Sequence, residues 1–179
     1  DRELDTLVEG GNGDGLGPPV GLRELNAFAV EDLGAVDEAT ERLRRDNALL
    51  STRVLQFAFL GDEKTPHLPH HFEKNCIAYT GTHDNNTLLG FLWELDDNTR
   101  NKVLDYLGNP SDAHSAIMRA LLMSAAGTVI FPVQDILRYG ADTRINTPGK
   151  ADGNWRYRVT KEQLDMIDWS SLARLNKMY

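Results

Sequence analysis

The sequence predicts an α/β fold built on parallel strands, and two observations carry that prediction. Short apolar runs recur between segments of helical periodicity, at Ala27 to Val30, Arg53 to Phe59, Asn75 to Tyr79 and Thr128 to Val133. Strands that alternate with helices pair in parallel through crossover connections. The second observation is a polar cluster, Thr82, His83, Asp84 and Asn85, placed directly after the run Asn75 to Tyr79. The C-terminal mouth of a parallel strand is where α/β proteins place their chemistry. Pattern alone does not separate an open doubly wound sheet from part of a (β/α)8 barrel.

The elements follow in order. Residues 1–21 form a flexible segment, because Gly10 to Pro19 holds five glycines and two prolines and sustains neither a helix nor a strand interior. The folded region is 22–179, opening with the strand Ala27 to Val30. Asp37 can cap a helix running through Arg45. Arg53 to Phe59 reads as the second strand and Asn75 to Tyr79 as the third. A helix spans Asp97 to Leu107 and stops at Gly108. Ser111 can cap the next, which carries Ile117, Leu121, Leu122 and Ala125 on one face and ends at Gly127. Thr128 to Val133 is the fourth strand, with Pro132 at its end, where a missing N–H costs least. Thr160 and Gln163 form a capping box for a last helix that includes Leu164, Ile167, Leu172 and Leu175.

The chain has 179 residues, enough for one domain with a sizeable core. Its formal net charge of −8 argues against general affinity for nucleic acid or anionic membranes and suits a neutral ligand. A single cysteine, Cys76, excludes an intrachain disulfide and sits in an apolar strand, where a buried, inert thiol is expected. No basic-then-apolar leader opens the chain, and no apolar run approaches the ~20 residues of a membrane helix. A cytoplasmic protein is the expectation, although a chain that begins at Asp1 can have lost a leader.

Several residues could carry chemistry. His83 and Asp84 together can grip vicinal hydroxyls, the imidazole donating or accepting and the carboxylate accepting from two O–H groups. The competing reading makes Asp84 and Asn85 helix caps, but Asn86 and Thr87 are better placed for that, which frees Asp84. Glu31, at the end of an apolar run, is a carboxyl that burial would keep protonated, as a general acid requires; the alternative is that Glu31 or Asp32 caps a turn. The cluster His67, His70, His71 invites a zinc reading. Two interleaved prolines and the lack of a completing Cys/His set argue against it, so no metal and no cofactor are expected. Asp135 and Arg144 could form an ion pair that anchors a loop. Trp155 and Tyr157 could stack on sugar rings or build core, and the sequence assigns neither.

The segment Tyr79 to Thr87 resembles the Thr-His-Asp-Asn signature of the 4-α-glucanotransferases, the amylomaltase or disproportionating-enzyme family (glycoside hydrolase family 77). Other segments fall in that family's order: Glu31 to Gly34, Val54 to Phe59, Pro69-His70, Phe131 to Asp135, Arg144 to Gly149 and Gly153 to Trp155. The resemblance runs from about Phe28 to about Arg158. It implies the last four β/α units of a (β/α)8 barrel, since a full barrel needs ~250 residues. It implies a retaining transfer of α-1,4-glucan segments between maltooligosaccharides or starch-type glucans. Glu31 would be the acid/base and Asp84 the carboxylate that stabilises the transition state. His83, Asn85 and His70 would contact sugar.

Two departures accompany the resemblance. Retention needs a second carboxylate about 5–5.5 Å from the acid/base. The family supplies it from an Arg-x-Asp-His context that does not occur here. Asp32 is a poor substitute, because consecutive strand residues point to opposite faces. The chain alone is therefore expected to be inactive, and its open sheet edges to pair with a missing N-terminal barrel half or with another copy. Leu50-Ser-Thr52 also replaces the family's usual Pro-Gly-Met. A non-catalytic glucan-binding fragment and an amylase-type hydrolase stand as alternatives.

Overall fold

The computed structural model describes residues 37–179. The glycine-rich segment 1–21, the expected strand Ala27 to Val30, and Glu31 and Asp32 lie outside the described residues. The chain runs α1 (Glu38–Asp46), β1 (Ser51–Val54), α2 (Leu55–Ala58), a 3-10 turn (Pro69–His71) and β2 (Cys76–Tyr79). It continues through α3 (Leu88–Glu94), α4 (Asp97–Tyr106), α5 (Ala113–Leu122), β3 (Thr128–Ile130) and α6 (Val133–Ile136). A second 3-10 turn (Ala141–Thr143), α7 (Lys161–Asp165) and α8 (Trp169–Met178) complete it.

The three strands form one sheet in the order β1-β2-β3, all parallel. Ser51 faces Cys76 and Val54 faces Tyr79 across the first pair; Ile77 faces Thr128 and Tyr79 faces Ile130 across the second. The strands thus end level, and the loops that leave them share one rim. The parallel α/β class is as predicted. All four residues of β1 are buried, as expected where both faces of a parallel sheet are covered. In β2, Cys76 and Ala78 are buried while Ile77 and Tyr79 are half-buried. Cys76 and Ala78 join Leu55, Phe59, Leu88, Phe91, Val103, Ile117 and Leu121 in a single core. Burial raises the pKa of the Cys76 thiol, which keeps it protonated.

Helix starts follow side-chain chemistry. Asp37, Asp96 and Asp168 cap α1, α4 and α8 by accepting from backbone N–H groups, and Thr160 with Gln163 forms the expected capping box on α7. Gly108, at φ +76°, ends the α4 region as predicted. Five expectations need correction, the simplest being that the fourth strand ends at Ile130, because Pro132 caps α6, which begins at Val133. The second strand stops at Val54, whose N–H is taken by His67 Nδ1 at 3.1 Å, and Leu55 to Ala58 turn into a helix. A short apolar run does not distinguish a strand from one buried helical turn.

The cap of α5 is Asp112, one residue beyond Ser111; its carboxylate accepts from Ser115 N–H and pairs with both Arg138 amino groups at 2.8 Å. That helix ends at Leu122, because the Ser124 hydroxyl takes the Leu121 carbonyl at 2.6 Å, and Ala125 is exposed. The last helix is two helices. Buried Ile167 sits between them, and Asp168 restarts the chain by accepting from Ser171 N–H. Among the described residues, no helix is long and apolar enough to cross a membrane.

Candidate active site at the mouth of the central strand

Beyond Tyr79 the chain leaves β2 through Thr80, which is completely buried and donates its hydroxyl to Asp135 Oδ2. Gly81 follows, and the space beside it explains the residue type. A Cβ there would lie 2.5 Å from Gln56 Nε2 and 3.0 Å from Asn85 Cβ. Gln56 needs that space, since its amide donates to Asn86 O at 2.7 Å and so ties α2 to the loop. A polar residue inside the run Val54 to Phe59 was the available signal for this tie.

Thr82 to Asn85 form a closed turn. Asn85 Oδ1 accepts from both Thr82 N and Thr82 Oγ1 at 2.9 Å, and Asn85 N donates to Thr82 O at 3.2 Å. The turn projects His83 and Asp84 outward, with side chains 46% and 43% exposed, and sets His83 Nε2 3.3 Å from Asp84 Oδ1. Thr87 caps α3 through Gly90 N–H, and Asn86 Oδ1 accepts from Thr87 N–H. Neither Asp84 nor Asn85 caps that helix. The carboxylate is therefore available at the rim.

A second segment closes on this turn. Arg144 donates to Asp84 O at 2.6 Å and to Asn146 O at 2.8 Å. Asn146 N donates to His83 O at 3.1 Å, and Asn146 Nδ2 donates to Asp84 Oδ1. Asn154 braces the far side of the segment, exchanging bonds with Thr147 and donating to Lys150 O. The chain then places the Trp155 ring 5.1 Å from the His83 ring, tilted by 38°. Beside the turn lies a cleft of about 440 Å³, lined by Tyr79, Thr82, His83, Asn85, Gln134 and Arg144 among others. A volume of that order suits a sugar-sized ligand.

Asp135 does not pair with Arg144. It is 1% exposed and accepts from Thr80 Oγ1 and, at 2.7 Å, from Leu88 N. Burial raises the pKa of its carboxyl. Asp135 is thus the bolt beneath the site, and Arg144 belongs to the rim above it. His70 is placed elsewhere. Its turn precedes β2, whereas the His83 turn follows it, and its Nδ1 meets Tyr106 O–H at 3.0 Å. It lines a separate cavity with Tyr106, Arg119 and Met123. Among the described residues no three His, Cys, Asp or Glu side chains stand together as a metal site. The structure brings His83, Asp84 and Asn85 together and adds Arg144, Asn146 and Trp155. Glu31 lies outside the described residues.

Comparison with known proteins bears on this arrangement. The family profile described as 4-alpha-glucanotransferase matches residues 22–164. The chain is 40% identical over 157 residues to a 4-alpha-glucanotransferase of Synechocystis, covering 85% of this chain and 31% of that protein. It is 40% identical over 148 residues to the chloroplastic/amyloplastic 4-alpha-glucanotransferase of Solanum tuberosum, covering 81% of this chain and 26% of that one. The chain therefore spans under a third of the length of these relatives. Among solved structures, an amylomaltase from Streptococcus agalactiae in complex with acarbose superposes with a TM-score of 0.73 at 30% identity, over 83% of this chain and 30% of that one. The Corynebacterium glutamicum amylomaltase, at TM-score 0.56 and 14% identity, shares the fold over 82% of this chain and 28% of that one. By sequence and by fold, this chain belongs to the 4-alpha-glucanotransferase family.

Proposed function

We propose that the protein containing this chain is a 4-α-glucanotransferase acting on maltooligosaccharides or starch-type glucans by a retaining mechanism. The observation that carries the proposal is the rim cluster. Asp84 is solvent-accessible, held by Asn146 and His83, on a turn whose flanking residues His83 and Asn85 line a cleft at the C-terminal end of a parallel sheet. A carboxylate presented this way accepts from two sugar hydroxyls at once, and these bonds strengthen as the ring flattens toward the oxocarbenium-like transition state. His83 offers a further hydrogen bond to the same sugar. Asn85 acts through the turn, since its carboxamide oxygen is engaged by Thr82.

In this reading Glu31 protonates the departing glycosidic oxygen and then deprotonates the incoming 4-hydroxyl. The nucleophile comes from outside this sequence, so the chain alone binds glucan without turning it over. Its partner is the N-terminal part of the barrel, paired along the sheet edge. His70, in a separate cavity and bonded to Tyr106, is left out of the sugar-binding set. No cofactor takes part. A cytoplasmic location suits the lone buried thiol and the acidic surface.

Incubating the full-length protein with maltotriose, followed by chromatography, tests this directly. Two maltotriose molecules should yield glucose and maltopentaose, with longer chains following. Glu31→Gln should lower the rate by about 10²- to 10⁴-fold, the usual contribution of acid–base catalysis. Glucose and maltose alone would mean hydrolysis. An unchanged maltotriose peak, with acarbose still bound, would mean a binding protein.

A further inference from the structure

The established features of the site leave one aromatic residue without a role. Trp155 is 56% exposed, too open for a core residue, and its backbone is left-handed at φ +63°. A non-glycine residue in that region is uncommon and persists where its surroundings over-determine it. Those surroundings are visible. Trp155 N donates to Ile145 O at 2.7 Å, Arg158 Nη1 donates to Trp155 O at 2.9 Å, and the preceding Asn154 side chain is bonded to Thr147 and Lys150. The strained geometry directs the indole onto one neighbour, the His83 ring at 5.1 Å. His83 has no other aromatic contact among the described residues, and its Nε2 faces Asp84.

The geometry points to Trp155 as the positioning residue of His83: the indole holds the imidazole in the one orientation that keeps Nε2 on the Asp84 carboxylate. This rests on the reading of His83 and Asp84 as sugar-binding groups. An exposed imidazole on a turn has two free torsions. Packing one face against a rigid, wide ring removes most of that freedom before substrate arrives. The left-handed backbone at 155 accompanies that placement. The bonds from Asn146 fix the backbone of His83, and the indole fixes its ring.

The test uses the full-length protein with Trp155→Ala, Trp155→Gly and Trp155→Phe, each alone and with His83→Ala. Two readouts are taken: kcat and KM for transfer from maltotriose, and the imidazole ¹⁵N shifts of His83, which report whether Nε2 carries the proton facing Asp84. Trp155→Ala should lower kcat by about 10- to 100-fold with KM within about twofold, the scale of a misplaced site group. Trp155→Gly, which removes the backbone strain, should lose as much as Trp155→Ala. Trp155→Phe should keep most of the rate.

In the His83→Ala background, Trp155→Ala should add nothing, since the two changes remove one shared interaction. The ¹⁵N pair should move from a single tautomer to an averaged value in Trp155→Ala. An equal loss with and without His83, or unmoved ¹⁵N shifts, would overturn the assignment and make Trp155 a direct sugar contact or a purely structural residue. If the wild-type protein shows no transfer, the functional reading fails by itself, and the ¹⁵N shifts still decide whether the indole orients His83.

Discussion

The segment from Thr80 to Thr87 contains two kinds of residue that differ in what surrounds them. Thr80, Asn86 and Thr87 are buried, and they are bonded to Asp135, Gln56 and Gly90. His83 and Asp84, a few residues away on the same loop, stand nearly half exposed at the rim. The base takes much of its rigidity from Gln56 and Asp135, which lie far off in the sequence. The rim takes its position from the base and from the segment Arg144 to Trp155, and keeps its own polar atoms accessible. A binding group is most useful when others hold it still, because a group that is buried to be rigid is also hidden from its ligand.

The contrast predicts that rim changes alter activity while leaving stability alone, and that base changes do the reverse. The largest expected effect is at Asp84. Asp84→Asn keeps the shape and removes the charge, and should lower maltotriose transfer by about 10²- to 10³-fold, the scale found when one transition-state hydrogen-bonding group is lost. Its melting temperature should stay close to wild type. A melting temperature that falls along with the activity would place Asp84 in the base and erase the distinction.

Asp135 tests the other side. Asp135→Ala strands the Leu88 N–H and the Thr80 hydroxyl in a dry interior, and should cost about 2–4 kcal/mol by urea unfolding. Asp135→Asn retains one acceptor and should lose less. Equal losses would mean that charge, and not hydrogen bonding, holds the base together.

The smallest effect separates the base from a neighbouring layer by pH. His114 in α5 is 3% exposed; burial, with Arg138 nearby, lowers its pKa to about 4. The unfolded chain protonates this imidazole near pH 6.5 and the folded chain only near pH 4, so stability is lost as pH falls between those values. The loss should reach about 2 kcal/mol and should disappear in His114→Phe. Asp112, whose carboxyl Arg138 holds below the ordinary carboxylate range, contributes stability that is present above its unfolded value near 3.8 and is lost only as pH falls below it, under the His114 window. A flat stability profile from pH 7 to pH 4.5 would refute the burial argument.

Some of this was legible in the residues. The parallel class followed from alternating patterns, the caps at Asp37, Thr87 and Thr160 from residue type, and the exposed pair His83 and Asp84 from its place after an apolar run. Each depends on interactions within a few residues, which a linear pattern records. The helical turn at Leu55 to Ala58 did not follow, because a short, mostly apolar run fits a strand and a buried helical turn equally well. The break at Ile167 was hidden for a similar reason: Asp168 acts as a cap only because Ile167 is packed inside.

The sequence by itself thus determined the class of fold, the starts of most helices, and which polar residues follow the central strand. Their roles were decided only by tertiary structure. Asp135 faces Thr80 across 55 positions of chain and not the nearby Arg144, which instead reaches back to Asp84 across 60. Trp155 becomes part of the site by resting on a ring 72 residues earlier in the chain. Burial makes an unpaired carboxylate costly wherever it lies, so the partner that satisfies it is set by packing, and packing brings together residues that no spacing along the chain relates.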